Sequence, residues 1–204
     1  MTGAMLHLRE RRMGWVALSL PVLTGVAWWS ASWLTTRTFF SGAVARVPVV
    51  AFAPLLAAIL VSLTLAGADT DLTRTASRLT TRHRAVHGAV AAIAVCALLA
   101  LAATDTPQTY GSYALIRNGL GLTGMVLLAA TLLPAALTWA PALVYTFVIY
   151  LAAPSDQGRG APWWAWVMQP GDLDPSWAVA ITLLATGLAL YTRHGSARTA
   201  HQPS

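Results

Sequence analysis

Lysine does not occur in this chain; all 13 of its basic side chains are arginine. That absence removes a Walker A loop, whose lysine must reach the nucleotide phosphates, and Schiff-base chemistry through a lysine amine. Cysteine is nearly absent as well. Cys96 stands alone, which excludes an intramolecular disulfide and a thiolate metal cluster; between Val95 and Ala97 it reads as a small buried apolar side chain. Charge of either sign is scarce: 10% of the residues are charged, 56% are hydrophobic, and mean hydropathy is +0.60. A water-soluble domain carries about a quarter charged residues. This chain has too few to present a wet surface.

In place of charge it has long apolar runs, at roughly 13–34, 49–68, 86–104, 114–133, 135–153 and 177–191. Each is near the ~20 residues a helix needs to cross ~30 Å of hydrocarbon. The stretches between them reach at most about 25 residues, too few to build a separate core. The expectation is an all-α polytopic membrane protein: one integral domain over residues 1–204 with six transmembrane helices. The first run follows Arg9, Arg11 and Arg12 and is longer than a signal-peptide core, so it is expected to be retained as a helix.

Arginine bias orients such a protein. With the amino terminus cytoplasmic, Arg9, Arg11, Arg12, Arg74, Arg78, Arg82, Arg84, Arg193 and Arg198 fall inside. Arg37, Arg46, Arg117 and Arg159 then fall outside or at an outer span end, as do Asp105, Asp156, Asp172 and Asp174. Both termini are therefore expected in the cytoplasm. Residues 195–204 read as a polar, disordered tail, and Met5–Arg12 as either an interfacial helix or a plain basic flank.

Within the first span, Ala27 and Ala31 form a small-xxx-small pair suited to helix packing. Trp28, Trp29 and Trp33 read as interface anchors or as a cavity wall. Pro48 suits the start of the second span, whereas Pro54 inside it would kink the helix unless a neighbour satisfies the freed carbonyl.

Between spans two and three lies DTDLTRTASRLTTRHRAVH, residues 69–87. Asp69 or Thr70 can cap a helix, with Asp71 complementing its dipole. Leu72, Ala76 and Leu79 share one helical face, and Arg74, Arg78 and Arg82 another. A short amphipathic cytoplasmic helix over residues 71–84 is expected. It would either bind anionic headgroups or dock a cytoplasmic partner.

Span four opens on Ile116–Arg117–Asn118–Gly119–Leu120–Gly121–Leu122–Thr123–Gly124. A charged group about one turn inside the membrane must snorkel to the interface or face a wet cavity. Gly121 and Gly124 imply close approach of another helix. Spans four and five join tightly near Pro134. Before span six comes APWWAWVMQPGDLDPSW, whose Trp163, Trp164 and Trp166 are too greasy for water in a segment too short to span. A re-entrant or interfacial helix is expected there, or an aromatic gate.

Chemistry is thin elsewhere. The spans hold no carboxylate pair, no HExxH and no aspartate pair for intramembrane proteolysis. His83 and His87 are four apart without a third metal ligand nearby. Buried acids suited to proton coupling are missing too. The pI of about 10.4 does not point to nucleic acid, because the arginines follow topology and are not interleaved with stacking aromatics. No catalytic residue, metal site or cofactor is expected, and the chain is not expected to be an enzyme.

The layout resembles the permease subunits of type-2 ATP-binding-cassette (ABC) exporters. The shared features are a basic amino-terminal stretch, six spans with both ends inside, a cytoplasmic helix between spans two and three, and an apolar external segment before span six. The stretches Arg117–Gly124 and Trp163–Trp166 also look like those of uncharacterised small membrane proteins of GC-rich actinobacteria. The resemblance implies a multi-pass protein of the bacterial cell membrane forming half of a translocation path. A separate ATPase would dock on Asp71, Arg74, Arg78, Leu79 and Arg82, and a second permease half would complete a homo- or heterodimer. Arg117, Asn118, Trp163, Trp164 and Trp166 would line the outer exit or gate. Two rival readings are a substrate-binding six-helix subunit of the vitamin-uptake type, meeting its partner through Ala27 and Ala31, and a non-transporting immunity or scaffold protein.

Overall fold

A computed structural model describes residues 13–36, 43–65, 77–104, 107–152 and 163–196. The described chain is helical, with six helices long and apolar enough to cross a membrane. The helices are α1 (Met13–Thr35), α2 (Val47–Leu65), α3 (Ser77–Ala100), α4 (Ser112–Leu132), α5 (Ala140–Ala152) and α6 (Asp174–His194); α5 reaches spanning length only together with the turn before it, as Ala135–Ala152. Short 3-10 turns cover Ala43–Arg46, Ala135–Leu137 and Trp163–Met168.

Helix limits follow local chemistry. Leu133 is extended (φ −113°, ψ 152°), as a residue before proline must be, and α4 stops there. Helix α6 starts earlier than the apolar run suggests. Asp174 and Pro175 occupy its first turn, Arg193 and His194 its last, matching the dipole at both ends. It closes on Gly195, whose φ of 74° is in the left-handed region, with the Gly195 N–H donating to Tyr191 O at 2.8 Å.

The separate cytoplasmic helix expected over 71–84 takes a different form. Residues 71–76 lie outside the described residues, and from Ser77 onward the chain is one helix with the third span. The physical reason lies in Ser77–His87, which contains neither glycine nor proline, so nothing interrupts the backbone hydrogen bonding before the apolar stretch begins. The expected fifth span is present as Ala135–Ala152, a short 3-10 turn after Pro134 followed by α5, with Pro141 in the first turn of α5.

Helices α2 and α4 form the buried centre. Helix α4 packs most extensively against α6 and also against α2 and α3. At the α4–α6 crossing the backbones touch: a Cβ on Gly187 would overlap the Gly124 carbonyl oxygen, and one on Gly124 would come within 2.5 Å of Leu184 Cα. Side chains are excluded there by geometry. Helix α1 is peripheral, burying the stripe Val16, Leu20, Ala27 and Ala31 while Trp15, Trp28, Trp29 and Trp33 face outward. Ser19, Ser30 and Ser32 on α1 return their hydroxyls to Trp15, Val26 and Trp28 carbonyls at 2.8, 2.7 and 2.9 Å, so no hydroxyl is left bare toward lipid.

Candidate functional site

The polar centre of the bundle is the adjacent pair Arg117–Asn118 in the second turn of α4, neither side chain having any exposed surface. Arg117 neither snorkels to an interface nor meets solvent. Its Nε donates to Asn118 Oδ1 (3.0 Å), Nη1 to Pro170 O (2.7 Å) and Ser176 Oγ (2.8 Å), and Nη2 to Gln169 O (2.7 Å). These acceptors are neutral. A guanidinium supplies a planar fork of five N–H donors, and the carbonyls of 169 and 170 are turned to meet it.

Asn118 completes the arrangement. Its Oδ1 accepts from Arg117, while Nδ2 donates to Val167 O (2.7 Å) and to Val50 O (2.8 Å). Val50 is four residues before Pro54, so its carbonyl is the one that proline leaves without an N–H in α2. The side chain of Asn118 supplies the missing donor, and the proline is tolerated in the middle of a span for that reason.

The segment these residues hold, 163–173, is not a regular helix. Ala165 departs from helical geometry (φ −95°, ψ 32°), so the segment lacks the internal bonding of an α-helix and takes hydrogen bonds from its surroundings. Tyr145 Oη donates to Trp164 O (2.8 Å), Asn118 to Val167 O, Tyr110 Oη to Met168 O (3.4 Å), Arg117 to Gln169 O and Pro170 O, and Trp177 Nε1 to Gly171 O (2.7 Å). Non-helical backbone survives among membrane helices only where protein groups satisfy it. We call this segment the strap. Close by, burial pushes the Tyr110 phenol above its ordinary pKa, with Arg117 pulling it down and Asp172 pushing it up further.

The tryptophans of the strap divide. Trp166 is buried, its ring filling the recess left by Gly121 and stacking on Tyr145 with centroids 5.8 Å apart. A Cβ on Gly121 would overlap that ring. Trp163 is 74% exposed and Trp164 39%. Arg117, Asn118 and Trp166 are thus brought together, while Trp163 and Trp164 look outward. Sequence reasoning missed Tyr110, Tyr145, Ser176 and Trp177; a phenol, an alcohol and an indole give no local signal that they will meet a strap carbonyl.

No family model, curated protein or solved structure matches this chain.

At the other end of the bundle α3 and α6 bring basic residues together. The Arg84 guanidinium lies against Gly195, where a Cβ would come within 2.5 Å of Cζ, a cation over a helix C-terminus. His87 Nε2 is 3.0 Å from Thr64 Oγ1, whose hydroxyl also lies 2.7 Å from Val61 O, an arrangement that suits a proton on Nε2. Arg82, Arg193 and His194 are exposed. Of the expected docking residues, Asp71 and Arg74 lie outside the described residues, and Arg78 and Leu79 fall in the first turn of α3.

Proposed function

We propose that this chain is the membrane-spanning half of a transport path in a bacterial cell membrane, a permease-type subunit that a separate ATPase drives and a second half completes. The observation that carries the reading is the continuity of α3. The basic stretch from Ser77 runs without a break into a span packed on α4. Val95, Cys96 and Leu99 of α3 lie against Gly119, the residue after the Arg117–Asn118 pair. Force applied to the start of α3 would reach the strap through two rigid helices and one polar cluster. In this reading Asp71, Arg74, Arg78 and Leu79 meet the ATPase, both termini are cytoplasmic, and the strap closes the outer end of the path.

The vitamin-uptake alternative loses its footing in α1. Ala27 and Ala31 are buried against this chain's own helices and do not offer a free face to a partner.

The test is affinity purification of the full chain in mild detergent followed by mass spectrometry. Co-purification of a Walker-motif ATPase, lost in the Arg74→Ala/Arg78→Ala/Leu79→Ala variant while membrane insertion persists, supports the proposal. Retention of the ATPase by that triple variant, or its absence from the wild-type preparation, counts against it.

A further inference from the structure

Arg82 occupies the outward face of α3, not the face turned into the bundle. Arg82, Val86, Val90, Ile93 and Ala97 are exposed and share one side at the helical repeat, with Thr81 and His83 exposed beside Arg82. Gly88, Ala92, Val95 and Leu99 are buried on the opposite side. A cation thus stands at the foot of an uninterrupted apolar column, and Arg78 lies one turn below it in register. From Val86 to Ala97 the column rises ~16 Å at 1.5 Å per residue, close to one leaflet of a ~30 Å hydrocarbon core. Arg82 then falls ~6 Å beyond its edge, at headgroup depth.

The charge around it is one-sided. Among the described residues, Arg193, His194 and Arg84 share this end, and the carboxylates Asp172 and Asp174 stand at the other. In sequence, Glu10, Asp69 and Asp71 flank this end against Arg9, Arg11, Arg12, Arg74 and Arg78, which still leaves it basic.

We infer that this face of α3 is a site for one anionic glycerophospholipid, its phosphate on Arg82 and an acyl chain along Val86, Val90 and Ile93. The cation selects the phosphate charge and the column selects a chain attached to it, a combination that a soluble phosphate or an acidic protein surface does not offer. The proposed ATPase contact then belongs to the residues before Arg82, and lipid and ATPase use separate parts of α3.

The test is native mass spectrometry of the full-length protein in mild detergent. The probes are phosphatidylglycerol and phosphatidylcholine of matched acyl chains, with glycerol phosphate as competitor. Phosphatidylglycerol is expected to be retained about fivefold over phosphatidylcholine, the factor that ~1 kcal/mol per arginine gives. Arg82→Gln should abolish that preference and Arg193→Gln should preserve it, with gel filtration showing both folded. Equal retention of the two lipids, an unchanged preference in Arg82→Gln, an equal loss in both variants, or displacement by glycerol phosphate overturns the inference. ATPase co-purification is scored on the same samples. Arg82→Gln that loses the ATPase but keeps the lipid also overturns it, whereas a wild type with lipid preference and no ATPase sinks only the permease reading.

Discussion

At the scale of single residues, Arg117 and Asn118 do the work of a missing stretch of helix. Replacing Arg117 by leucine leaves Gln169 O, Pro170 O and Ser176 Oγ without their donor in a water-free place. Each orphaned neutral group costs about 1–3 kcal/mol, and the loss should appear as a fall in thermal midpoint in detergent. Asn118→Leu strands Val50 O and Val167 O, at about 1–3 kcal/mol for each orphaned group. Arg117→Lys keeps the charge but not the fork, and its midpoint should lie between the wild type and the leucine variant. Thr123 gives the opposite expectation. Its hydroxyl is buried in α4 without a hydrogen-bond partner, so the isosteric Thr123→Val should raise the midpoint, by about 1 kcal/mol in stability. At this scale the sequence was half legible. A charge-amide pair ahead of two glycines announced that something polar happens inside the membrane. It could not announce the acceptors, because backbone carbonyls are identical in every residue and those of 169 and 170 are placed by a bend at Ala165.

Between elements, glycine has two meanings that sequence alone does not separate. Gly25 in α1 has open space where a Cβ would go, whereas Gly187 in α6 has the Gly124 carbonyl. Gly25→Ala should be neutral or stabilising by up to about 1 kcal/mol, since alanine is the better helix former. Gly187→Ala must push α4 and α6 apart and should lower stability by about 1–3 kcal/mol; paired thermal melts read both. Spans were legible because bilayer thickness dictates their length, and the Ala27–Ala31 pair was readable as a packing face. The union of the basic stretch with span three was not. An amphipathic helix followed by an apolar one carries the same periodicity whether or not the backbone breaks between them.

For the molecule as a whole, an even number of crossings puts α1's start and α6's end on one side of the bilayer. The proposed orientation, which rests on the arginine bias of the sequence, makes that side the cytoplasm. A periplasm-dependent reporter fused after Ser204 should therefore be silent and a cytoplasm-dependent one active; the reverse pattern would invert the orientation and move the strap to the inner face. The fold class was open to the sequence because a chain so poor in charge has one solvent available to it. The proposed transport role was not, since nothing in a neutral carbonyl cluster names a cargo.

The strap also imposes an order on biosynthesis. Arg117 leaves the ribosome 52 residues ahead of Gln169 and 53 ahead of Pro170, the two carbonyls that neutralise its isolation. Until those late residues arrive, the fourth span carries an uncompensated cation that belongs in water or in the insertion machinery. The polar centre of the bundle cannot close until the strap and the start of α6 have been made; a late segment lets its middle enter the lipid.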